Sequence, residues 1–460
     1  MWGRTRSGRA WRIGAVGLAV LLLFTGALNL RSVFGLGDEP DWVVDPAAPS
    51  AMDELVGGTA LRRGGGSLGG AILTLQDRLR AEPDNGQAAV LLGQAYLQQV
   101  RETGDPSFYP KAETLFQMAL DQNSDDFGAM VGLGSLALAR HDFATALDWG
   151  ERAKAINPYH APAHGVIVDA LVELGRYDEA IAATQTMVDL RPDLASYARV
   201  SYVRELTGDR AGAIRAMEQA ALAGAALPEP FAWAQVQLGN LIFDGGDLDA
   251  AQAAYEAALR TLPDYPYASA GLGRIAAARG DYAGAVTYYE AAIARLPLPE
   301  FVIALGDVQA AFGDAAAAER QYALVGAMQN LYAANGVDTD LEMALFLADH
   351  PERVEDISAV VADARAAYAR RPGVKAADVL AWTLYQAGDY AEAKTASGEA
   401  LHLGTQDALM LFHAGMIERA LGNMDAATAY LRAALELNPH FSVRWAPEAR
   451  AIVAGSPARG

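Results

Sequence analysis

Few residues of this 460-residue chain are spaced for chemistry. His160 and His164 stand four apart in HAPAH, a spacing that puts two imidazoles on one helix face and offers them to zinc. Pro162 between them marks a helix start, and no glutamate follows in the zinc-peptidase pattern, so the pair reads as two polar residues near a helix N-terminus. Asp244, Asp247 and Asp249 in FDGGDLD have a spacing suited to calcium. No bidentate glutamate follows at the required place, and the segment reads as a turn between helices. Asp338, Asp340 and Glu342 in DTDLE read as the acidic first turn of a helix. No phosphate-binding glycine loop, nucleophile elbow or kinase signature is present. Without cysteine there is no thiol catalysis, no disulfide and no cysteine-ligated zinc. The expectation is no enzyme, no cofactor and no metal.

The elements that would carry these residues repeat. Around the stretch Leu147–Pro192, Ala146 and Ala180 are 34 residues apart, as are Pro158 and Pro192. A glycine stands 12 residues before an alanine in Gly134/Ala146, Gly239/Ala251, Gly273/Ala285, Gly306/Ala318 and Gly415/Ala427. Small residues at these places let two antiparallel helices approach closely. Turns such as Gly175-Arg-Tyr-Asp, Gly246-Asp-Leu, Gly280-Asp-Tyr, Gly313-Asp, Gly388-Asp-Tyr and Gly422-Asn-Met lie between them. The glycine ends one helix in the left-handed conformation and the Asp or Asn caps the next. Bulky residues four after the alanine (Tyr255, Tyr289, Tyr322, Leu431) are expected to pack on the following unit. Pro158, Pro192, Pro263, Pro297, Pro372 and Pro439 close second helices.

This pattern resembles the tetratricopeptide repeat over roughly Leu68–Ala449. Ten units are centred on Ala112, Ala146, Ala180, Ala213, Ala251, Ala285, Ala318, Val360, Ala393 and Ala427. The resemblance implies an all-α, right-handed superhelical solenoid whose inner groove, lined by first helices, binds peptides or protein segments. A half-repeat at Leu68 and a C-terminal capping helix would close the ends. Extra residues fall at Arg101–Pro110, before Phe231 and at Gly326–Asp340. Val360 replaces the alanine, Val168 and Ser201 replace the glycine, and Gly150 and Gly212 sit in second helices. These departures predict loosened units three, four and eight, or a hinge in the superhelix.

One first-helix position, nine residues into each unit, is expected to point into the groove. It reads Asp169, Tyr202, Asn240, Arg274, Asp307, Asp349 and Trp382, with Tyr385 one turn beyond and Phe412 inward in the last unit. Aromatic and arginine side chains are common anchors of interfaces. Tyr202, Asn240, Arg274, Asp307, Trp382 and Tyr385 are the candidate partner-binding residues.

The N-terminus bears on compartment. Arg4, Arg6, Arg9 and Arg12 precede the uncharged run Ile13–Leu30. That run is long enough to span a bilayer with the arginines in the cytoplasm and the repeats outside. A cleaved signal peptide ending near Thr25-Gly-Ala27 is the other reading, and it makes the protein secreted or periplasmic. The organisation is then a basic tail (1–12), an anchor or signal (13–30), a glycine- and proline-rich linker (31–67), the solenoid (68–440) and a cap with tail (441–460). A formal charge of −20 and a pI near 4.7 exclude a nucleic-acid partner, because an acidic surface repels phosphates. The function these features imply is a membrane-tethered scaffold for a protein or peptide. The alternative is a self-assembling structural envelope protein.

Overall fold

The computed structural model describes residues 68–455. Its helices are α1 (Leu68–Ala81), α2 (Gly86–Thr103), α3 (Tyr109–Gln122), α4 (Phe127–Ala139), α5 (Phe143–Ile156), α6 (Ala161–Glu173), α7 (Tyr177–Leu190) and α8 (Leu194–Leu206). There follow α9 (Arg210–Gly224), α10 (Pro228–Asp244), α11 (Leu248–Thr261), α12 (Pro266–Ala278), α13 (Tyr282–Arg295), α14 (Pro299–Phe312) and α15 (Ala315–Ala334). The last are α16 (Asp340–Asp349), α17 (Ile357–Arg370), α18 (Val374–Gln386), α19 (Tyr390–Leu401), α20 (Ala408–Ala420), α21 (Met424–Leu437) and α22 (Ala446–Val453). No strand occurs among the described residues. From α2 to α21 they form ten antiparallel pairs, units 1 to 10, between an unpaired second-type helix, α1, and an unpaired first-type helix, α22.

All ten unit centres lie in second helices and are buried, Val360 included. The turn glycines Gly175, Gly246, Gly280, Gly313, Gly388 and Gly422 have φ between 68° and 94°. Asp247, Asp281 and Asp314 cap the next helix through backbone N–H groups of Ala250, Gly284 and Ala317. Asp389 and Asn423 make no such bond; the Asn423 amide instead donates to Glu418.

Of the first-helix glycines, Gly93, Gly239, Gly273 and Gly306 receive rings rather than alanines, while Gly134 faces Val166 and Gly415 faces Leu431. A Cβ on Gly239 would lie 2.6 Å from the Tyr255 ring, and one on Gly271 in the next unit 2.5 Å from it. Tyr255 therefore wedges between its own unit and the following one, and Phe116 does the same between Gly93 and Gly132. The departures from pattern are absorbed locally. Gly150 faces Ile167 across the unit boundary, Val168 is buried, and the Ser201 hydroxyl donates to Ala213 O at 2.8 Å. Units 3 and 4 are packed, not loosened.

First helices pack on first helices from unit to unit and form the inner layer; second helices form the outer one. The superhelix closes on itself. The turn inside each of units 2 to 5 bonds to a connection after a second helix one superhelical revolution later, 195–199 residues on, and Gly104 in the turn of unit 1 faces Leu296 and Leu298 in the same way. Asp338 N donates to Arg140 O at 3.0 Å, and the His141 imidazole Nδ1 lies 2.6 Å from Asp338 O. Val374 N donates to the Tyr177 hydroxyl at 2.7 Å. The Thr405 hydroxyl donates to Leu206 O at 2.5 Å, and the Asn438 amide to Phe243 O at 2.9 Å.

The irregular stretches serve this seam. α15 runs on to Ala334, and the connection Asn335–Thr339 reaches unit 2. Unit 8 is thereby bonded to unit 2 rather than free to hinge. The extra residues of unit 1 lengthen α2 and add a short helix at Pro106–Phe108, setting Gly104 against Leu296 and Leu298.

Candidate partner-binding surface

The candidate residues all lie on first helices, hence on the inner wall. Most are bonded to a neighbouring unit. The Asp169 carboxylate takes both Arg199 Nε (2.9 Å) and Nη2 (2.6 Å), joining units 3 and 4. Arg274 donates to Asp244 at 2.9 Å and lies 4.0 Å over the Phe243 ring, joining units 6 and 5. Asp307 accepts from the Tyr322 hydroxyl (2.7 Å) and contacts His350 Nε2 (2.9 Å), joining units 7 and 8. Asn240 accepts from Tyr255 within its own unit at 2.8 Å. The Lys375 ammonium, from the second revolution, lies 5.3 Å from the centre of the Tyr202 ring.

Tyr202, Asn240, Arg274, Asp307 and Tyr385 are half-buried. Trp382 is not available to a ligand: it is 1% exposed. Its indole stacks on His413 (4.2 Å) and on Tyr385 (4.7 Å), and its N–H donates to Asp349 at 3.0 Å. Asp349 also accepts from Trp445 at 2.8 Å, and Phe412 is fully buried. This aromatic group is the core that attaches the C-terminal cap. The expected groove anchor is corrected to a core residue, because α22 and Trp445 cover it.

Electrostatics inside the coil follow from enclosure. Burial pushes the carboxyl groups of Glu205 and Glu300 up to about 7, and also raises Glu173. Against burial, which opposes its charge, Arg371 and His141 hold Glu342 below the usual carboxylate range. The Arg371–Glu342 pair at 3.0 Å therefore sits charged beside the seam. Burial works against charge on His413 as well, but Asp378 at 2.9 Å raises it above the usual imidazole value.

The spacings that suggested metals are engaged separately. His164 Nε2 donates to Pro158 O at 2.8 Å, while His160 packs edge-on against Phe127. Asp244 pairs with Arg274, Asp247 caps α11, and Asp249 pairs with Arg279. Among the described residues no group of three His, Asp or Glu side chains could hold a metal ion. A cavity of about 480 Å³ opens beside Asn335–Thr339. Its cation, Arg370, is already paired with Asp338 (2.7 Å) and Asp340 (2.9 Å). The residues that sequence reasoning missed are those of the seam: Arg140, His141, Tyr177, Thr405 and Asn438. The one local signal was His141, which stands where other units have the turn glycine and keeps a φ of 62°.

Ten stacked helix pairs with glycine-ended turns define a helical-repeat solenoid. Models of the tetratricopeptide repeat match residues 107–161, 137–201, 236–299 and 379–440, and the chain belongs to that family. Among solved structures, a thermophilic tetratricopeptide-repeat protein of Thermus thermophilus is 24% identical, with 45% of this chain and 98% of that one covered at a TM-score of 0.35. A repeat protein of Parabacteroides merdae is 16% identical over 53% and 92%, at 0.38. A chain of the APC/C hetero-tetramer Cut9–Hcn1 is 14% identical over 86% and 94%, at 0.37. No curated protein matches.

Proposed function

We propose that this repeat protein is a scaffold that holds an extended protein segment against its inner wall and is tethered to a membrane outside the cytoplasm. The family is one of protein–protein interaction, and the repeats here support that role. The observation that carries the finer reading is the stripe of half-buried polar side chains along the first helices. Asn240, Arg274 and Asp307 are each held by a bond within the chain. A wall of preorganised polar groups loses little side-chain entropy when a partner binds. Tyr202 and Tyr385 supply aromatic area on the same wall.

The tether rests on Ile13–Leu30, which, with the linker, lies outside the described residues. Among the described residues no helix is long and apolar enough to cross a membrane.

Two experiments test these claims. Full-length chain and a Tyr202→Ala/Arg274→Ala/Tyr385→Ala variant of unchanged helical content serve as baits for solubilised membranes of the source cell. A partner retained by the first and lost from the second supports the inner wall; equal retention removes it. Because the chain has no cysteine, Ser456→Cys gives a single label site. An impermeant maleimide that labels it in intact cells supports the topology. Labelling only after lysis overturns it.

A further inference from the structure

The seam between the two revolutions uses only half of each rim of the coil. On one rim the turns of units 1 to 5 are covered: a Cβ on Gly175 would lie 2.5 Å from Pro372 O, and one on Gly208 2.4 Å from Gly404 O. The same turns in units 6, 7, 9 and 10 are bare. Around Gly280, Gly313, Gly388 and Gly422 no described residue lies within 4 Å of that position. Yet these bare turns carry the seam's side chains. Two residues after the turn glycine, or after His141 in unit 2, stand Phe143 and Tyr177 in the seam. Phe143 is 2% exposed, and the Tyr177 hydroxyl takes the Val374 amide. The bare rim has Tyr282, Tyr390 and Met424 at that register position, with Phe312 beside Gly313. Met424 is 53% exposed and Phe312 58%.

The other rim repeats the relation. In the seam, the connection Asn438-Pro439-His440 folds with His440 N on Asn438 Oδ1, and the Asn438 amide reaches Phe243 O. The connection Asn157-Pro158-Tyr159, one revolution and more earlier, has the same fold, with Tyr159 N on Asn157 Oδ1 at 3.1 Å. Tyr159 there is 79% exposed. Arg191-Pro192 likewise duplicates Arg371-Pro372, the pair seated on Gly175. The molecule thus exposes both halves of an interface that it already forms with itself.

We propose that a second copy of this chain docks on the bare rim. The turns of units 6 to 10 of one copy take the connections between the early units of the next, continuing the seam from molecule to molecule. The contact is heterologous, so it adds copies head to tail along the superhelix axis rather than closing into a two-fold dimer. The orphan helices fit this polarity: α22 is a first helix without a second, and α1 a second helix without a first. Both rims carry exposed acids, among them Asp281, Asp314 and Asp389 on one and Glu82, Asp84 and Asp125 on the other. With a chain charge of −20, stacking is opposed at low ionic strength and favoured as the Debye length falls from about 10 Å at 0.1 M salt to about 3 Å at 1 M.

The test is the mass of the full-length chain in a detergent micelle of known size, by sedimentation over about a hundredfold concentration range at low and high salt. Two variants change only exposed residues: Phe312→Glu/Tyr390→Glu/Met424→Glu on one rim, and on the other Tyr159→Glu with Leu222→Glu, Leu222 being 68% exposed in the last turn of α9 before the connection to unit 5. Matching melting curves establish that both are folded. The wild type is expected to exceed two chains at high salt, and each variant alone to stay monomeric. Mixing the variants leaves one intact rim of each kind and is expected to give a 1:1 dimer and nothing larger. A wild type that stays monomeric throughout overturns the proposal. So does a variant that assembles as well as the wild type, or a mixture that does not pair.

Discussion

Gly208 and Gly280 occupy the same turn position with the same φ of 80°, but only Gly208 faces another revolution of the chain. Alanine at either site is held in the left-handed region, at about 1 kcal/mol or somewhat more. At Gly280 the added methyl meets nothing within 4 Å, so that is the whole cost. At Gly208 the methyl would sit 2.4 Å from Gly404 O, far inside contact distance, and the carbonyl belongs to a backbone that must move as a body. Moving it breaks the Thr405–Leu206 bond beside it. A buried bond lost with its acceptor left unpaired costs roughly 1–3 kcal/mol. Gly208→Ala is therefore expected to cost about 2 kcal/mol more than Gly280→Ala, a ratio of roughly 30 in the opening equilibrium. Global unfolding is a poor readout for a solenoid, whose units need not melt together. Amide hydrogen exchange at Val374 and Asp338, whose N–H groups bond across the seam, reads it directly. Exchange at these amides should speed up by that ratio in Gly208→Ala and hardly change in Gly280→Ala. Equal exchange in the two variants would show that the revolutions do not pack on each other in solution.

Other perturbations follow from the inner wall. Arg199→Ala leaves Asp169 enclosed with no counter-ion in place of a bidentate pair, a loss of about 3–5 kcal/mol, measured as denaturant stability of units 3 and 4. Arg199→Lys should recover only part of it, because an ammonium cannot form both bonds. Trp382→Ala removes a fully buried indole and should cost about 3–5 kcal/mol. The loss should appear as detachment of α22, read by limited proteolysis after Ala446. The Glu300 carboxyl, raised to about 7 by burial, binds its proton more tightly folded than unfolded. Its stabilising contribution is complete below the ordinary value of 4.5 and is lost as pH rises through 7. Glu300→Gln should then be more stable than wild type at pH 8, with the gain vanishing towards pH 4.5 in denaturant titrations. His160, lowered to about 4, has the opposite dependence. Its variant His160→Phe should be relatively stabilised as pH falls from 6.5 towards 4.

The inner-wall positions were legible as places but not as roles. Asp169, Asp307 and Asp349 stood out as polar residues at inward positions, yet their partners Arg199, His350 and Trp382 lie 30, 43 and 33 residues on. A period marks where each first helix faces inward; it does not say which inward side chains meet. Trp382 looked like an anchor because its position is inward, and it is core because Trp445, 63 residues later, folds back over the same Asp349. The insertions at Arg101–Pro110 and Gly326–Asp340 were visible as breaks of register. Their purpose was not, since both reach residues nearly 200 positions away.

What the sequence determined by itself is everything decided within one unit and its neighbour. The helix pairs, glycine turns, alanine contacts and closing prolines arise from interactions inside a window of about 34 residues, and the repetition of that window makes each of them readable. Only the tertiary structure decided the pitch. A small rotation between successive units, set by how rings such as Tyr255 wedge between two glycines, accumulates over more than five units before the chain meets itself. No local pattern contains that sum. Whether the coil closes on a seam or stays open depends on it, because the turns of units 1 to 5 and the connections beyond unit 6 share a contact only when the accumulated rise matches their reach.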